Sequence, residues 1–345
     1  MDQKQKKRLL WQIPFLIALI GGTIWVIKNQ HDMPYQNNKG MIFGTVYEIT
    51  YQYDANLQQE IEQQMRLVDQ ALSMFNQESV ISHVSKNESY DLKGDAGKMF
   101  LEVFNLAEEI SKDTEGAFDI TVAPLVNAWG FGFKNDAMPS AEKVDSLRQL
   151  VGYEKISYQD GAIKKSDPRI TLDCSAIAKG YGCDVVANYL ESKGIKNYMV
   201  MIGGEIVTRG INPTRLPWRI GVTKPTDDTL SIESENQTVL NVTDKAMATS
   251  GNYRRFYYKN GKKYAHTIDP KSGYPVQHSL LSATVLADKC ATADAYATSF
   301  MVMGIDRAKK VLQRHKELMA YFIYSDEDGQ LAVWYSPTLE EKLDK

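Results

Sequence analysis

A histidine and an aspartate lie beside a rigid turn in the stretch KKYAHTIDPKSGYPV, residues 262–276. His266 is one of only five histidines among 345 residues, and Asp269 follows it three positions later. Pro270 has a fixed φ and Gly273 tolerates positive φ, so both favour a sharp, stiff turn. A buried strand rarely has this composition. The stretch therefore predicts a turn that holds the histidine in place.

An acidic and a hydroxyl side chain lie four residues apart in CATADAYATSF, residues 290–300. Residues at this spacing share one face of a helix, so we expect Asp294 and Thr298 to be neighbours. Their oxygens are hard ligands suited to Mg²⁺, which takes only one or two protein carboxylates and completes its shell with water and phosphate oxygens. The alternative is an exposed Asp294 and a Thr298 that bonds back to its own helix.

A helix start with a nearby lysine is predicted in LDCSAIAKGYGCD, residues 172–184. Asp173 and Ser175 lie where the helix should begin, and Lys179 follows about one and a half turns later. A helix N-terminus favours anions, and the lysine would add a full charge for a phosphate or a carboxylate. The alternative is an ordinary N-cap with a solvated lysine. Gly180 and Gly182 favour the first interpretation, because glycine inside a helix permits close backbone approach.

Two weaker signals come from glycine-containing segments. Gly203 and Gly204 interrupt a predicted strand, which indicates a bulge or a place where a ligand meets the backbone. The segment TEGAFDITVAPLVNAWGFG, residues 114–132, combines glycines, aromatics and an acid. It is equally compatible with a binding segment and with a well-packed strand and turn.

The elements that must position these residues follow from hydrophobic periodicity and turn signals. Helices are predicted over 56–75, 96–112 and 290–304, and one more ends near Gly194. Strands are predicted over 41–53, 197–210, 218–225 and 279–287, with a hairpin at an Asp-Gly turn within 318–336. The elements do not follow strict βαβ alternation, so the predicted fold is α+β, with 41–345 as one catalytic unit.

Composition excludes several functional classes. The net charge is −3 and no basic block occurs after the first ten residues, so we expect no nucleic-acid partner. The three cysteines, Cys174, Cys183 and Cys290, cannot all pair within one chain and lack zinc-site spacing. We expect them to be free and structural.

The N-terminus has the pattern of a membrane or export segment. Residues 1–8 are basic, 9–27 contain no charge, and 28–40 are polar and predict a linker. The apolar run is close to the length that spans a bilayer, and the preceding positive charges predict that the rest of the chain lies outside the cytoplasm. No small-x-small cleavage site follows Ile27, so an uncleaved anchor is favoured over a cleaved signal. A buried core helix is the remaining alternative.

Eight motifs in order resemble one family, the ApbE-type flavin transferases, or FAD:protein FMN transferases. They cover about residues 41–305 and read FGTVYEI, LSMFNQESVIS, GAFDITVAPLVNAWGFG, DCSAIAKGYGCD, IGGEIVTRG, ATSGNYRRF, HTIDPKSGYPV and ATADAYATSFMVMG. The resemblance implies an ApbE-like (T-fold-like) α+β fold of mixed sheets with packed helices. In the predicted architecture, the N-terminal transmembrane or signal segment precedes this fold.

The resemblance also implies which residues bind cofactor and metal. The FAD-binding positions fall on Phe43, Phe75, Ala117, Phe118, Asp119, Asp173, Lys179, Gly203, Gly204 and Ile268. The Mg²⁺ ligands fall on Asp294, Thr298 and the backbone oxygen of Ala176. The chain departs from the family pattern at four positions: Phe43 replaces a methionine, Phe75 a tyrosine, Met201 an asparagine, and Ala297 an acid that some relatives carry.

The family's chemistry gives the histidine turn a role. A threonine or serine hydroxyl of a target protein attacks the FMN-side phosphorus of FAD, AMP leaves, and FMN remains as a phosphoester. A neutral hydroxyl is a poor nucleophile, and a histidine has a suitable pKa to act as general base. We expect His266 to be that base and Asp269 to orient it. The alternatives are a Mg²⁺-dependent FAD pyrophosphatase that gives FMN and AMP, and a flavin-binding protein without catalysis.

The expected partners follow from the same resemblance, and the expected location follows from the resemblance together with the N-terminal pattern. The expected partners are FAD and flavin-accepting subunits of membrane redox complexes. The expected location is the inner (cytoplasmic) membrane, with a single N-terminal anchor and the catalytic domain on the outer, periplasmic side. The sequence does not identify the acceptor protein.

Overall fold

The structure, a computed structural model, describes residues 12–23, 33–132, 138–225, 235–252, 256–259 and 262–343. Its strands are β1 (Tyr35–Ile42), β2 (Thr45–Gln52), β3 (Ile156–Gln159), β4 (Ala162–Lys165), β5 (Tyr198–Ile202), β6 (Glu205–Arg209), β7 (Arg219–Thr223), β8 (Asn236–Asn241), β9 (Ala246–Gly251), β10 (Phe256–Lys259), β11 (Lys262–Ala265), β12 (Leu280–Ala287), β13 (Met319–Ser325) and β14 (Leu331–Tyr335). Eight of them form one antiparallel sheet in the order β1-β2-β5-β6-β9-β12-β13-β14. The remaining strands form three hairpins, β3–β4, β7–β8 and β10–β11.

The helices lie mainly on one side of this sheet. They are α1 (residues 12–23), α2 (Gln58–Leu72), α3 (Val80–Lys86), α4 (Asp95–Asp113), α5 (Ala123–Ala128), α6 (Ala141–Arg148), α7 (Ala178–Ser192), α8 (Cys290–Met303) and α9 (Ile305–Arg314). α7 and α8 pack directly on the sheet, and α2 and α4 cover them. The other face of the sheet is closed by the β7–β8 hairpin and the short turn Pro337–Lys342, around Trp218, Leu240 and Leu339.

The α+β class and the mixture of one sheet with packed helices are confirmed. The helix predicted over 56–75 ends at Leu72 and buries Ile61, Met65, Val68 and Leu72, whereas Phe75 lies beyond it and is exposed. α8 is buried on almost every side, as its run of alanines allows. The β13–β14 hairpin at the Asp-Gly turn is also confirmed. The three cysteines are free and buried.

The start of the sheet differs from the prediction. Residues 35–40, predicted as part of a linker, belong to edge strand β1, which pairs with β2 along its whole length. An edge strand exposes polar side chains, so it lacks the apolar alternation by which strands are recognised. The strand predicted over 41–53 is split, because Phe43 and Gly44 have φ angles of 51° and 71° and form a hairpin turn.

Three local predictions near the candidate site are also corrected. Gly203 and Gly204 form no bulge but the two-residue turn between β5 and β6, with φ angles of 65° and 107°. The helix predicted to begin at Asp173 begins at Ala178. At 114–132, where a well-packed strand and turn is one of the two interpretations, the chain contains a 3-10 turn, Ile120–Val122, followed by α5.

Part of the predicted N-terminal segment lies within the described residues. Residues 12–23 are helical, and apolar side chains such as Phe15 and Ile17 are exposed. Within the described parts of the chain, no helix has both the length and the apolar character needed to cross a membrane. Residues 9–11 and 24–27 of the predicted segment lie outside the described residues.

Candidate active site

Lys179 lies between two buried carboxylates. Its Nζ is 3.0 Å from Glu205 Oε1 and 3.7 Å from Asp294 Oδ2. α7, β6 and α8 each supply one of the three residues, so the packing of these elements creates the group. Burial disfavours the lysine charge, but the Asp294 and Glu205 carboxylates outweigh this effect and raise the pKa of Lys179. Lys179 is therefore a fixed cation.

Glu205 is the most unusual group in this set. It is only 4% exposed, and its Oε2 has no hydrogen-bond partner among the described residues. Burial raises the pKa of Glu205, against the opposing effect of Lys179. The two acids carry two negative charges when ionised and Lys179 carries one positive charge. A buried site with this balance favours an added cation.

The three predicted metal ligands lie on neighbouring elements. Asp294 is buried on α8, and Thr298 follows one turn later with its Oγ1 3.0 Å from Ser250 Oγ on β9. The Gly180 N–H, in the first turn of α7, donates to Asp294 Oδ2 at 3.0 Å, and this bond holds Asp294 beside the segment that leads from Ala176 into α7.

This set of donors fits a small hard cation. It comprises one carboxylate, one hydroxyl and one backbone carbonyl, which are hard oxygen ligands of the kind Mg²⁺ takes. Within the described residues, no group of three or more His, Cys, Asp or Glu side chains is placed to hold a metal ion. Asp294 is the only one of these residue types among the three predicted ligands, so a search for such groups does not test the predicted site.

The predicted histidine turn is well defined. The Asp269 carboxylate accepts hydrogen bonds from the N–H groups of Lys271 and Ser272, at 3.0 and 3.3 Å. Gly273 has a φ of 80° and its N–H donates to Asp269 O. Asp269 therefore stiffens the turn through its own backbone. Its predicted role in orienting His266 stays a prediction.

The aromatic segment after α5 supports this turn. Trp129 Nε1 donates to Gly273 O at 2.8 Å, and the Trp129 ring stacks on Tyr264 of β11. The Phe131 ring meets the His266 ring edge-on, with centroids 6.3 Å apart. The sequence indicated both segments separately, and the structure shows that each packs on the other.

One hydrogen-bonded path joins the histidine turn to the metal-ligand helix. Thr298 contacts Ser250 at the end of β9, and Asn252 follows two residues later. Asn252 Oδ1 accepts from Thr267 Oγ1 at 2.6 Å, and Thr267 directly follows His266. The structure therefore brings the predicted base and the predicted metal ligands to one end of the sheet.

Several predicted FAD-binding residues surround the Lys179 group. Phe43 lies against Gly182 of α7, where an added Cβ would come within 2.8 Å of the Phe43 ring. Gly203 lies against Lys179, since a Cβ there would be 3.2 Å from Lys179 Cδ. Among the described residues, no atom other than those of its chain neighbours lies within 4 Å of the corresponding position on Gly204. The β5–β6 turn thus leaves open space beside the lysine.

Phe75 and Asp173 reach this region from another side. Phe75 is 64% exposed, and its neighbour Met74 contacts Ser175 through an Sδ–Oγ distance of 3.9 Å. Asp173 Oδ1 accepts from Ser175 N at 2.7 Å, while its own N–H donates to Ile120 O. Asp173 therefore closes a local turn before α7 and is not the N-cap of that helix.

The remaining predicted FAD-binding residues are buried. Ala117, Phe118 and Ile268 are each at most 5% exposed, so their side chains belong to the core. Asp119 accepts from the Thr121 N–H and hydroxyl, at 2.8 and 2.6 Å. Burial outweighs these bonds and raises the pKa of Asp119 to about 6. The roles of these four residues in FAD binding stay predictions.

Three residues in or beside the site were not predicted from the sequence, namely Glu205, Ser250 and Asp184, whose carboxylate accepts from Cys290 N and Ala291 N at the start of α8. Glu205 and Asp184 are acids at the ends of quoted motifs, IGGE and AKGYGCD, which is a signal that could have been used. Ser250 also lies in a quoted motif, ATSGNYRRF, but only the pairing of β9 with β12 and the packing of α8 place it beside Thr298.

Comparison with known proteins gives consistent matches over most of the chain. The model of the ApbE family matches residues 43–322. A protein of Vibrio cholerae named FAD:protein FMN transferase is 38% identical over 298 residues, covering 84% of this chain and 87% of the relative. Relatives with the same name from Haemophilus influenzae and Escherichia coli are 36% and 33% identical, covering 84% of this chain and 86% and 82% of their own lengths.

Solved structures show the same similarity. The structure titled flavin transferase ApbE from Vibrio cholerae matches with a TM-score of 0.80 and 35% identity, covering 90% of this chain and 99% of the other. A structure of a histidine-to-glycine mutant of that protein matches with a TM-score of 0.79 at 35% identity, covering 90% and 100% of the two chains. The Pseudomonas stutzeri flavinyl transferase ApbE matches with a TM-score of 0.78 at 27% identity, covering 90% and 96%.

Proposed function

The chain belongs to the ApbE family and is a transferase, and we propose that it moves FMN from FAD to a threonine or serine hydroxyl of an acceptor protein in a Mg²⁺-dependent reaction. The single observation that carries this proposal is the convergence of two groups at one end of the sheet. The Lys179–Asp294 pair and the His266 turn are joined there through the Thr298–Ser250 and Asn252–Thr267 contacts.

The phosphates of FAD are proposed to bind near Lys179. The ammonium group stays charged because Asp294 and Glu205 hold it, and the start of α7 adds the partial positive charge of a helix N-terminus. The flavin end would then lie towards the hairpin turn at Phe43 and the exposed ring of Phe75. Aromatic side chains at these positions suit stacking on an isoalloxazine ring.

His266 is proposed to act as the general base. It removes the proton of the acceptor hydroxyl as the hydroxyl oxygen forms a bond to the FMN-side phosphorus. The bond from that phosphorus to the bridging oxygen breaks, and AMP leaves with the electron pair. FMN then remains on the acceptor as a phosphoester. Asp269, Gly273 and Trp129 hold the turn that carries the histidine.

Asp294, Thr298 and the Ala176 carbonyl are the residues that would hold Mg²⁺. A bound magnesium ion supplies charge neutralisation for the phosphate oxygens during such a transfer. Water in place of the acceptor hydroxyl would give FMN and AMP from the same site, so hydrolysis is the competing outcome in every assay.

The acceptor is proposed to be a subunit of a membrane redox complex on the periplasmic side of the inner membrane. This proposal rests on the family resemblance and on the N-terminal pattern of basic residues followed by an uncharged run. Anchoring on the same membrane would raise the effective concentration of such an acceptor.

An in-gel fluorescence assay tests the transfer. The protein is incubated with FAD, Mg²⁺ and the soluble domain of a candidate acceptor, and flavin fluorescence is read after denaturing electrophoresis. We expect a fluorescent acceptor band with the wild type and none with Asp294→Ala. Asp306→Ala, an acid in the first turn of α9 that is outside the site, is the matched control. An acceptor band that is as fluorescent with Asp294→Ala as with the wild type would contradict the metal assignment.

A further inference from the structure

The N-terminus of α8 has an unusual cap. Its own N-cap residue, Lys289, makes no side-chain cap bond, and the first turn contains no acid. Instead, Asp184 of α7 accepts hydrogen bonds from Cys290 N at 2.8 Å and from Ala291 N at 2.9 Å, one with each carboxylate oxygen. Two of the free N–H groups at the start of α8 are thus held by a different helix.

The start of α7 is held in the same way by α8. Its N-cap residue, Ile177, makes no side-chain cap bond, and the Gly180 N–H donates to Asp294 Oδ2 at 3.0 Å. Each of the two helices therefore supplies one aspartate to the first turn of the other. Gly180 and Asp184 are four residues apart and lie on the same face of α7.

Glycine at 180 is required for this arrangement. A Cβ on Gly180 would lie 2.4 Å from Cys290 O and 2.9 Å from Ala291 Cα. The backbones of the two helices touch at this point, so a small sliding of α8 along α7 would change both hydrogen-bonded contacts together.

We propose that Asp184 is a positioning residue for the metal site. By holding the first residues of α8, it fixes where Asp294 and Thr298 lie relative to Lys179 and the Ala176 carbonyl. Asp294 lies about one turn after Cys290 in the same helix, so a shift of the helix start moves the ligand directly. The inference rests on the proposed function, because it concerns the residues assigned there to Mg²⁺.

A purely structural role would give a different result. Loss of any buried hydrogen bond lowers thermal stability, and that effect alone does not change the affinity of a folded protein for magnesium. Groups that orient metal ligands typically change metal affinity by about 10-fold to 100-fold when they are replaced. Magnesium affinity of the folded protein is therefore the quantity that separates the two roles.

The test compares Asp184→Asn with Ser336→Ala. The asparagine keeps the size of the side chain and one acceptor oxygen, so it retains more of the fold than Asp184→Ala. Ser336→Ala removes the buried hydroxyl that accepts a hydrogen bond from Ala320 N at 3.0 Å. Ala320 belongs to β13, which contributes none of the site residues. Mg²⁺ is titrated into each FAD-bound protein by calorimetry, and each melting temperature and FAD affinity without metal is recorded.

We expect the magnesium dissociation constant of Asp184→Asn to rise by about 10-fold to 100-fold, while that of Ser336→Ala stays at the wild-type value. Both variants should melt at lower temperature. A folded Asp184→Asn with wild-type magnesium affinity would overturn the inference, as would an equal shift in Ser336→Ala. A wild type that neither binds Mg²⁺ nor transfers FMN would instead overturn the proposed function itself.

Discussion

Lys179 shows how far single residues can be interpreted from sequence. Its role as a cofactor-binding cation was predicted from its position after a helix start, and the structure adds two buried carboxylates around it. Asp294 was predicted as a metal ligand but not as a partner of this lysine. Glu205 was missed, because its approach to Lys179 depends on how β6 packs under α7.

Lys179→Met should destabilise the protein strongly. It leaves Glu205 and Asp294 buried without their cation, and breaking a buried ion pair by removing one partner typically costs about 3–5 kcal/mol. Adding Glu205→Gln to this variant should recover part of the loss, because one unpaired charge disappears. Urea unfolding of the three proteins measures the difference. A double variant no more stable than Lys179→Met would contradict this account of the charges.

Gly273→Ala should distort the histidine turn, because alanine at this position has both an unfavourable φ and a steric clash. Alanine at a φ of 80° costs about 1–2 kcal/mol, and its Cβ would lie 2.7 Å from Val144 Cγ1. Gly329→Ala is the matched control. Its φ is 77°, and in the described part of the chain no atom other than those of its chain neighbours lies within 4 Å of an added Cβ. We expect only Gly273→Ala to lower the transfer rate. Equal rates for both variants would show that the turn does not position His266.

At the scale of helices and strands, periodic segments were predicted well, whereas the positions of turns and helix starts were not. α2, α4, α8 and the β13–β14 hairpin follow patterns that depend on each segment alone. The start of α7 was misplaced by five residues, because an Asx turn at Asp173 resembles an N-cap in sequence. The Gly203–Gly204 pair reads as a bulge until the antiparallel register of β5 and β6 is known.

A polar cluster links the end of α4 to α8 and α9. Asp113 is contacted by His315 Nε2 at 3.0 Å, Tyr296 Oη at 3.0 Å and Arg314 Nη2 at 3.2 Å, and His315 Nδ1 also lies 2.8 Å from Glu317. Burial opposes protonation of His315, but its bonds to Asp113 and Glu317 outweigh this effect and raise the His315 pKa above 6.5. The folded state therefore binds the imidazole proton more tightly than the unfolded state does.

The contribution of His315 to stability should depend on pH in one direction. Because its pKa is raised on folding, the stabilisation is complete below about pH 6.5 and is lost as pH rises through the folded pKa. His315→Gln should therefore lower the free energy of unfolding more at pH 6 than at pH 9, by about 1 kcal/mol or less for this partly exposed pair. Denaturant unfolding at both pH values measures it. An equal loss at both would contradict the assignment.

At the scale of the whole molecule, the sheet order was not predictable from sequence. β9 lies between β6 and β12, and this nonlocal placement brings Ser250 to Thr298 and Asn252 to Thr267. The family resemblance supplied the site residues that local patterns could not. Its motifs contain Asp184 and Ser250 but assign no role to either residue. The contacts of these residues and the cross-capping of α7 and α8 follow from side-chain packing in three dimensions.

Two truncations test the boundary of the catalytic domain. Removal of residues 1–30 should leave a soluble, active protein, because β1 begins at Tyr35. Removal of residues 1–40 should destabilise the protein, because it deletes most of β1. It also deletes Asn38, which is 1% exposed and accepts a hydrogen bond from Tyr51 Oη. Melting curves and transfer assays compare the two.

The same proteins test the proposed anchor. We expect the full-length chain to sediment with membranes and the chain lacking residues 1–30 to remain in the supernatant. A full-length chain that stays in the supernatant, or a shorter chain that is insoluble, would contradict the proposed anchor and its boundary.

The most direct test of the proposed function is the balance of products in a single turnover. The protein is mixed with stoichiometric FAD, Mg²⁺ and an acceptor domain, and released AMP is quantified beside the modified acceptor by mass spectrometry. We predict one AMP for each acceptor that gains the mass of one FMN less one water on a threonine or serine. His266→Ala should slow this step by a factor of about 10²–10⁴. AMP and free FMN in equal amounts, with an unmodified acceptor, would show hydrolysis and contradict the transferase assignment.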